Sequence, residues 1–124
     1  MDSRESAEMY LETIYILSQK SEAVRKIDVS RYMGYAKPSV TRAIGLLENR
    51  GLVSVEENGV LQLTQAGKVQ AQQIYERHTV LTKMFVNLGV DESVAAEDAC
   101  RIEHYISETT FDAIKKHMEK YESP

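Results

Sequence analysis

Apolar residues recur at helical spacing through most of this chain and alternate in only one short stretch. From Ser6 to Lys20, Met9, Tyr10, Ile14 and Leu17 share a face, which predicts an amphipathic first helix. Val24 to Met33 reads as a short second helix with Ile27, Val29 and Met33 inward, stopped by Gly34. Lys37-Pro38-Ser39 opens a third, because proline is pre-set for a first helical turn. Its inward positions are Val40, Ile44 and Leu47, and it ends near Asn49-Arg50-Gly51. The runs Leu52–Val55 and Val60–Leu63 are strand-like, and Glu56-Glu57-Asn58-Gly59 between them carries the Asn-Gly signal of a hairpin. Thr64 can cap a long helix from Gln65 to about Leu88, ended by Gly89. Asp91 or Ser93 can cap a fifth helix to about Ile106, and a sixth spans roughly Thr110 to Tyr121.

Two helices joined by a tight glycine-containing turn, followed directly by a hairpin, form a winged helix-turn-helix. The expected fold is therefore mainly α. Residues 1–63 would be a winged unit of three helices and a two-stranded β wing, and residues 64–124 a helical domain. In the second half, Val80, Leu81, Met84, Phe85 and Leu88 make one apolar stripe; Val94, Ile102, Tyr105, Ile106 and Phe111 suggest another. Three helices without a sheet cannot hide both, so a second copy of the chain is expected to cover them as a homodimer.

Composition narrows the classes. A chain of 124 residues with 43% hydrophobic and 27% charged content is ordinary for a globular protein, and no apolar run approaches a membrane span. Arg4 and Glu5 are followed by no signal-peptide core, and one cysteine fits a reducing, cytoplasmic setting. The net charge of -4 is uneven: Arg25, Lys26, Arg31, Lys37, Arg42 and Arg50 face only Asp28 and Glu48 between Val24 and Val53. That basic island, +4 in an acidic chain, is what local contact with double-stranded DNA needs, although a solvated helical face has the same charge pattern. Pro38, Ser39, Thr41 and Arg42 stand in the early turns of the third helix, where base edges and phosphates are reached. Lys26 and Lys37 flank them as phosphate contacts.

Candidate chemistry gathers in Glu97–His104, E-D-A-C-R-I-E-H. On a helix Cys100, Glu103 and His104 stand at i, i+3 and i+4 and project from one face. Thiolate, carboxylate and imidazole together can ligate a transition metal, although a buried cysteine beside a solvated Glu-His pair has the same spacing. Nothing in the chain reads as catalytic: there is no nucleophile-base pair, glycine-rich phosphate loop or HExxH.

Three segments resemble the diphtheria toxin repressor family: Ala7-Glu8-Met9-Tyr10-Leu11-Glu12-Thr13-Ile14-Tyr15, Pro38-Ser39-Val40-Thr41, and Ala99-Cys100-Arg101-Ile102-Glu103-His104. That family comprises metal-activated bacterial repressors of iron-dependent and manganese-transport-regulator types, and the resemblance covers nearly the whole chain. It implies a two-domain form without the family's SH3-like third domain. It also implies a primary metal site of Met9, Cys100, Glu103 and His104, the ligand pattern of the iron branch. The manganese branch has carboxylates at the first two positions, so the chain departs from it there. Glu12 and His78 match the manganese branch's second position and imply a second ion bridged through Glu103. The iron branch's ancillary site is expected to be dismantled, since Thr82 and Ala96 replace its carboxylate and second histidine. His117 has no such support, and Asp98 is only a reserve ligand.

The expected protein is a metal-activated repressor of metal-homeostasis genes, not an enzyme, with no organic cofactor and no membrane partner. Soft thioether and thiolate donors favour Fe(II), with Mn(II), Co(II), Ni(II) or Zn(II) as other ions the site would take. One rival is a metal-independent winged-helix regulator sensing oxidant or a small ligand through Cys100. A second is a small metalloenzyme, which would need an open coordination position and a substrate cleft.

Overall fold

The computed structural model describes residues 3–122. Residues 1–2 and 123–124, the outer ends of the two expected domains, lie outside the described residues. Six helices and one hairpin follow in the expected order: α1 (Ser3–Lys20), α2 (Lys26–Met33), α3 (Lys37–Asn49), β1 (Val53–Val55), β2 (Leu61–Leu63), α4 (Gln65–Asn87), α5 (Glu92–Ile102) and α6 (Glu108–Glu122). The chain divides into two compact units, Met1–Gln72 and Gln73–Pro124, so the first turns of α4 belong to the N-terminal unit.

The N-terminal unit is built on a core of Tyr10, Leu11 and Ile14 from α1, Val29 from α2, and Val40, Ile44 and Leu47 from α3. Val24, Leu52, Val53 and Leu61 in and beside the hairpin and Ala71 of α4 complete it. Burial holds the Tyr10 phenol above its usual pKa, with the neighbouring Tyr35 adding to the effect. Helix α2 starts two residues later than its apolar pattern predicts. Arg25 is the cap, and the Asp28 carboxylate accepts its backbone N–H at 2.9 Å. Gly34 then takes a left-handed φ of 73° and returns its N–H to Ser30 O, which ends α2 as expected. Pro38 stands in the first turn of α3, where it sacrifices no helical hydrogen bond.

The strands pair antiparallel in the register Val53↔Leu63, Ser54↔Gln62, Val55↔Leu61. Gly59 N–H closes the loop on Glu56 O, and Gly59 alone in it has positive φ. Asn58 uses its side chain instead, accepting Val60 N–H. The tip carries the exposed Glu56 and Glu57. Arg25 Nε donates to Asn58 O at 3.3 Å, and Leu61 N–H donates to Val24 O, so the hairpin is tied to the segment entering α2. Thr64 caps α4 by accepting Gly67 N–H at 3.1 Å.

The C-terminal unit has a smaller core of Ile74, Leu81, Ala95, Ala99, Phe111 and Met118. Asp91 caps α5 through Ser93 N–H. The expected stripes are only partly hidden. Leu81 and Phe111 are buried, whereas Leu88, Val94, Ile102 and Tyr105 are exposed, Leu88 to 74%. No described helix is long and apolar enough to cross a membrane.

Candidate metal centre and nucleic-acid interface

Helix α5 is shorter than its apolar pattern predicts. It ends at Ile102, with Glu103 as its cap and the chain turning through residues 103–106. Glu103 nonetheless keeps helical φ and ψ and donates its N–H to Ala99 O, so it still lies one turn beyond Cys100. Glu103 and His104 therefore stand in the turn that follows the helix, Cys100 within it.

The Glu103 carboxylate is fully enclosed and meets two imidazoles. Its Oε2 lies 3.0 Å from His78 Nδ1 of α4, and its Oε1 lies 3.3 Å from His104 Nε2. The side chains of Glu103 and His104 are 0% and 1% exposed, while His78 is 29% exposed. Oε1 makes no hydrogen bond among the described residues. An anionic carboxylate removed from water needs a nearby positive charge, supplied either by a protonated histidine or by a cation. Donors about 2.1 Å from one ion, separated by roughly 90–110°, lie about 3.0–3.4 Å from each other. Both observed separations fall in that range, and they use different carboxylate oxygens. The carboxylate and imidazole donors of Glu103, His78 and His104 thus fit a divalent metal.

Of the remaining expected ligands, Cys100 lies on α5 and is half-buried. Met9 and Glu12 lie on α1, one turn apart, with Met9 half-buried and Glu12 buried. Thr82 donates its hydroxyl to His78 O at 2.7 Å, and the alanine at 96 brings no donor. Asp98 pairs with Arg101 at 3.4 Å on an exposed face, and His117 is exposed.

Sequence reasoning missed Arg77. It lies on α4 next to His78, and its Nη1 donates to Glu103 O at 3.1 Å and to Ile106 O at 2.8 Å. Its only signal in the sequence was adjacency to His78, which does not separate it from any solvated helical arginine.

In the N-terminal unit, α3 has two distinct faces. Val40, Ile44 and Leu47 are at most 1% exposed, whereas Lys37, Pro38, Ser39, Thr41 and Arg42 are exposed. Lys26, the first residue of α2, is half-buried. Leu46 stands at i+7 from Ser39 and i+4 from Arg42 and is 53% exposed, an apolar group on the same polar face. It falls outside the inward set Val40, Ile44 and Leu47.

Residues 2–61 match the description "Iron dependent repressor, N-terminal DNA binding domain", and residues 64–123 match "Iron dependent repressor, metal binding and dimerisation domain". The transcriptional regulator MntR of Escherichia coli O157:H7 is 30% identical over 118 residues, covering 95% of this chain and 76% of that protein. The diphtheria toxin repressor of Corynebacterium diphtheriae is 28% identical over 86% of this chain and 48% of its own length. Among solved structures, that of the manganese regulator SloR superposes with a TM-score of 0.81 at 24% identity, over 91% of this chain; the fold is shared. This chain spans about half the length of that structure, which it covers to 53%. With both halves matched and a 30% identical relative across nearly its whole length, the chain belongs to the iron-dependent repressor family of metal-dependent transcriptional regulators.

Proposed function

We propose that this protein is a cytoplasmic, homodimeric repressor that binds operator DNA when loaded with a divalent metal, Fe(II) being favoured. The observation that carries the reading is the enclosed Glu103 carboxylate between His78 and His104. A primary ion would be held by Met9, Cys100, Glu103 and His104, and a weaker second ion by Glu12 and His78 with Glu103 shared. When bound, the metal supplies positive charge and coordinate bonds to ligands from α1 and from the α4–α5 region. The residues themselves do the rest. Met9 and Glu12 lie on the helix that anchors the DNA-binding core, and Cys100, Glu103 and His104 lie in the half matched as the dimerisation domain. Ligation by residues of both halves would favour a DNA-competent form of the dimer, in which two recognition helices fit successive major grooves, over the others in a population shift.

The exposed apolar residues Val86, Leu88, Val94, Ile102 and Tyr105 support a second copy of the chain as partner. A thioether from Met9 and a thiolate from Cys100 support Fe(II) over the harder Mn(II). Co(II) titration tests the ligand set: an absorption band from thiolate to metal is expected, and its absence in metal-loaded protein excludes Cys100. Met9→Asp makes the site harder, so the preference measured by competition should shift towards Mn(II). An unchanged metal ranking would remove the reason for calling the site iron-like.

On the DNA side, Lys37, Pro38, Ser39, Thr41 and Arg42 form the proposed reading face, with Lys26 on phosphate. Arg42→Ala is expected to weaken specific binding by about 1–3 kcal/mol if the guanidinium reads a base. If it meets phosphate alone, all sequences weaken alike and the salt slope flattens. Titration of specific and random duplexes at two salt concentrations separates these outcomes, and no change in either moves the reading face elsewhere.

A further inference from the structure

The turn that carries Glu103 and His104 follows the end of α5, and the N–H groups of Tyr105 and Ile106 return to Ile102 O. The last carbonyls of a helix lack partners within it, so their position depends on whatever donor reaches them. Among the described residues, one side chain reaches two carbonyls of this turn. Arg77 Nη1 reaches Glu103 O at 3.1 Å and Ile106 O at 2.8 Å, spanning both ends of the turn. Its guanidinium carbon lies 5.4 Å from the centroid of the Phe111 ring, which is buried on α6. A cation over that face gains from the ring quadrupole, so the arginine is fixed from behind as well. The adjacent residue His78 meets the Glu103 carboxylate at 3.0 Å. Two consecutive residues of α4 therefore hold Glu103, one by its main chain and one by its side chain.

We infer that Arg77 is a positioning residue for the metal centre, setting where the Glu103 carboxylate and the His104 imidazole present their donor atoms. This rests on the metal-binding reading above. The alternative role for the residue is electrostatic, and it predicts the opposite sign. A fixed cation near a divalent ion opposes it, so removing the charge alone should tighten metal binding. Loss of positioning should loosen it. Arg77 donates to carbonyls and leaves both carboxylate oxygens to the histidines, which is the arrangement that favours positioning.

The test compares wild type with Arg77→Lys, Arg77→Gln and Phe111→Leu, each loaded with Co(II). Affinity is measured by chelator competition, the d–d spectrum reports ligand geometry, and apo-protein helicity and melting report the fold. Both Arg77 variants are expected to bind Co(II) about 10–100-fold more weakly, the usual scale for losing a group that orients a ligand. Their d–d bands should move, which a loss of stability alone would not cause. Phe111→Leu keeps an apolar group at the site and should shift affinity in the same direction by less, so the inference stays testable if an Arg77 variant folds poorly. Tighter binding by Arg77→Gln, or unchanged affinity and spectra in both Arg77 variants, overturns the assignment to Arg77 alone. A wild type that takes up no Co(II) overturns the metal reading and the assignment with it.

Discussion

Replacing Cys100 or His104 by alanine is expected to abolish metal-activated operator binding while leaving a folded dimer. The two should differ in their cost to stability. Cys100 is half-buried and its loss removes only a small side chain, so the apo protein should melt close to wild type. His104 is enclosed against Glu103, and its removal leaves a buried carboxylate with one neighbour fewer. Truncating an enclosed side chain leaves a void and costs about 2–4 kcal/mol, so His104→Ala should melt earlier. Operator titration with and without metal, alongside apo melting curves, checks both parts. Full metal-dependent binding by either variant would show that the ligands lie elsewhere. Calorimetry on His78→Ala extends the test to the second ion: wild type should take up more than one ion per subunit and the variant one. Equal stoichiometry of one in both would remove the second position.

Gly67→Ala should be the most damaging single methyl in the N-terminal unit. A Cβ built at Gly67 collides with the Leu52 carbonyl oxygen and lies 3.0 Å from its carbon, and both atoms are backbone. Neither side can rotate away. The Leu52 carbonyl also accepts Thr64 N–H at 3.0 Å, while Thr64 donates its hydroxyl to Gly51 O, so the start of α4 is sewn to the segment leaving α3. Overpacking of this kind costs typically 1–3 kcal/mol and sometimes more, and about 3 kcal/mol is expected here because no flexible atom can yield. Gly45 is the matched control. Its added Cβ meets nothing within 4 Å, and alanine in a helix interior is better than glycine by roughly 1 kcal/mol. Denaturant unfolding should show Gly67→Ala destabilised and Gly45→Ala neutral or stabilised; the same midpoint for both would refute the packing argument.

The helices were legible wherever a long apolar period met a strong stop. Gly34 and Gly89 end α2 and α4 with positive φ, and Pro38 opens α3. The end of α5 was not, because apolar residues continue through Ile102 and Ile106 after the helix has given way to a turn. Periodicity marks which face is apolar and does not mark where hydrogen bonding ceases. Gly67 was invisible for a related reason: its need for hydrogen in place of a methyl comes from Leu52, fifteen positions away. In the candidate metal centre, Cys100, Glu103 and His104 stood out as donor types at helical spacing. His78 was carried by resemblance alone, and the structure shows it against Glu103. Arg77 needed the fold, since it acts on backbone carbonyls that no side-chain pattern reports.

DNA binding is expected to depend on a divalent ion held by soft and hard donors together. Its most direct test is an anaerobic, reducing titration of the protein against duplexes selected from a random pool in the presence of divalent metal. Fe(II), Mn(II), Co(II), Ni(II) and Zn(II) are compared with metal-free protein in chelator. Specific binding should be negligible in chelator, recover on adding metal, and show a higher apparent affinity with Fe(II) than with Mn(II) at equal free concentration. Specific binding of equal strength in chelator and in every metal would contradict that dependence on metal.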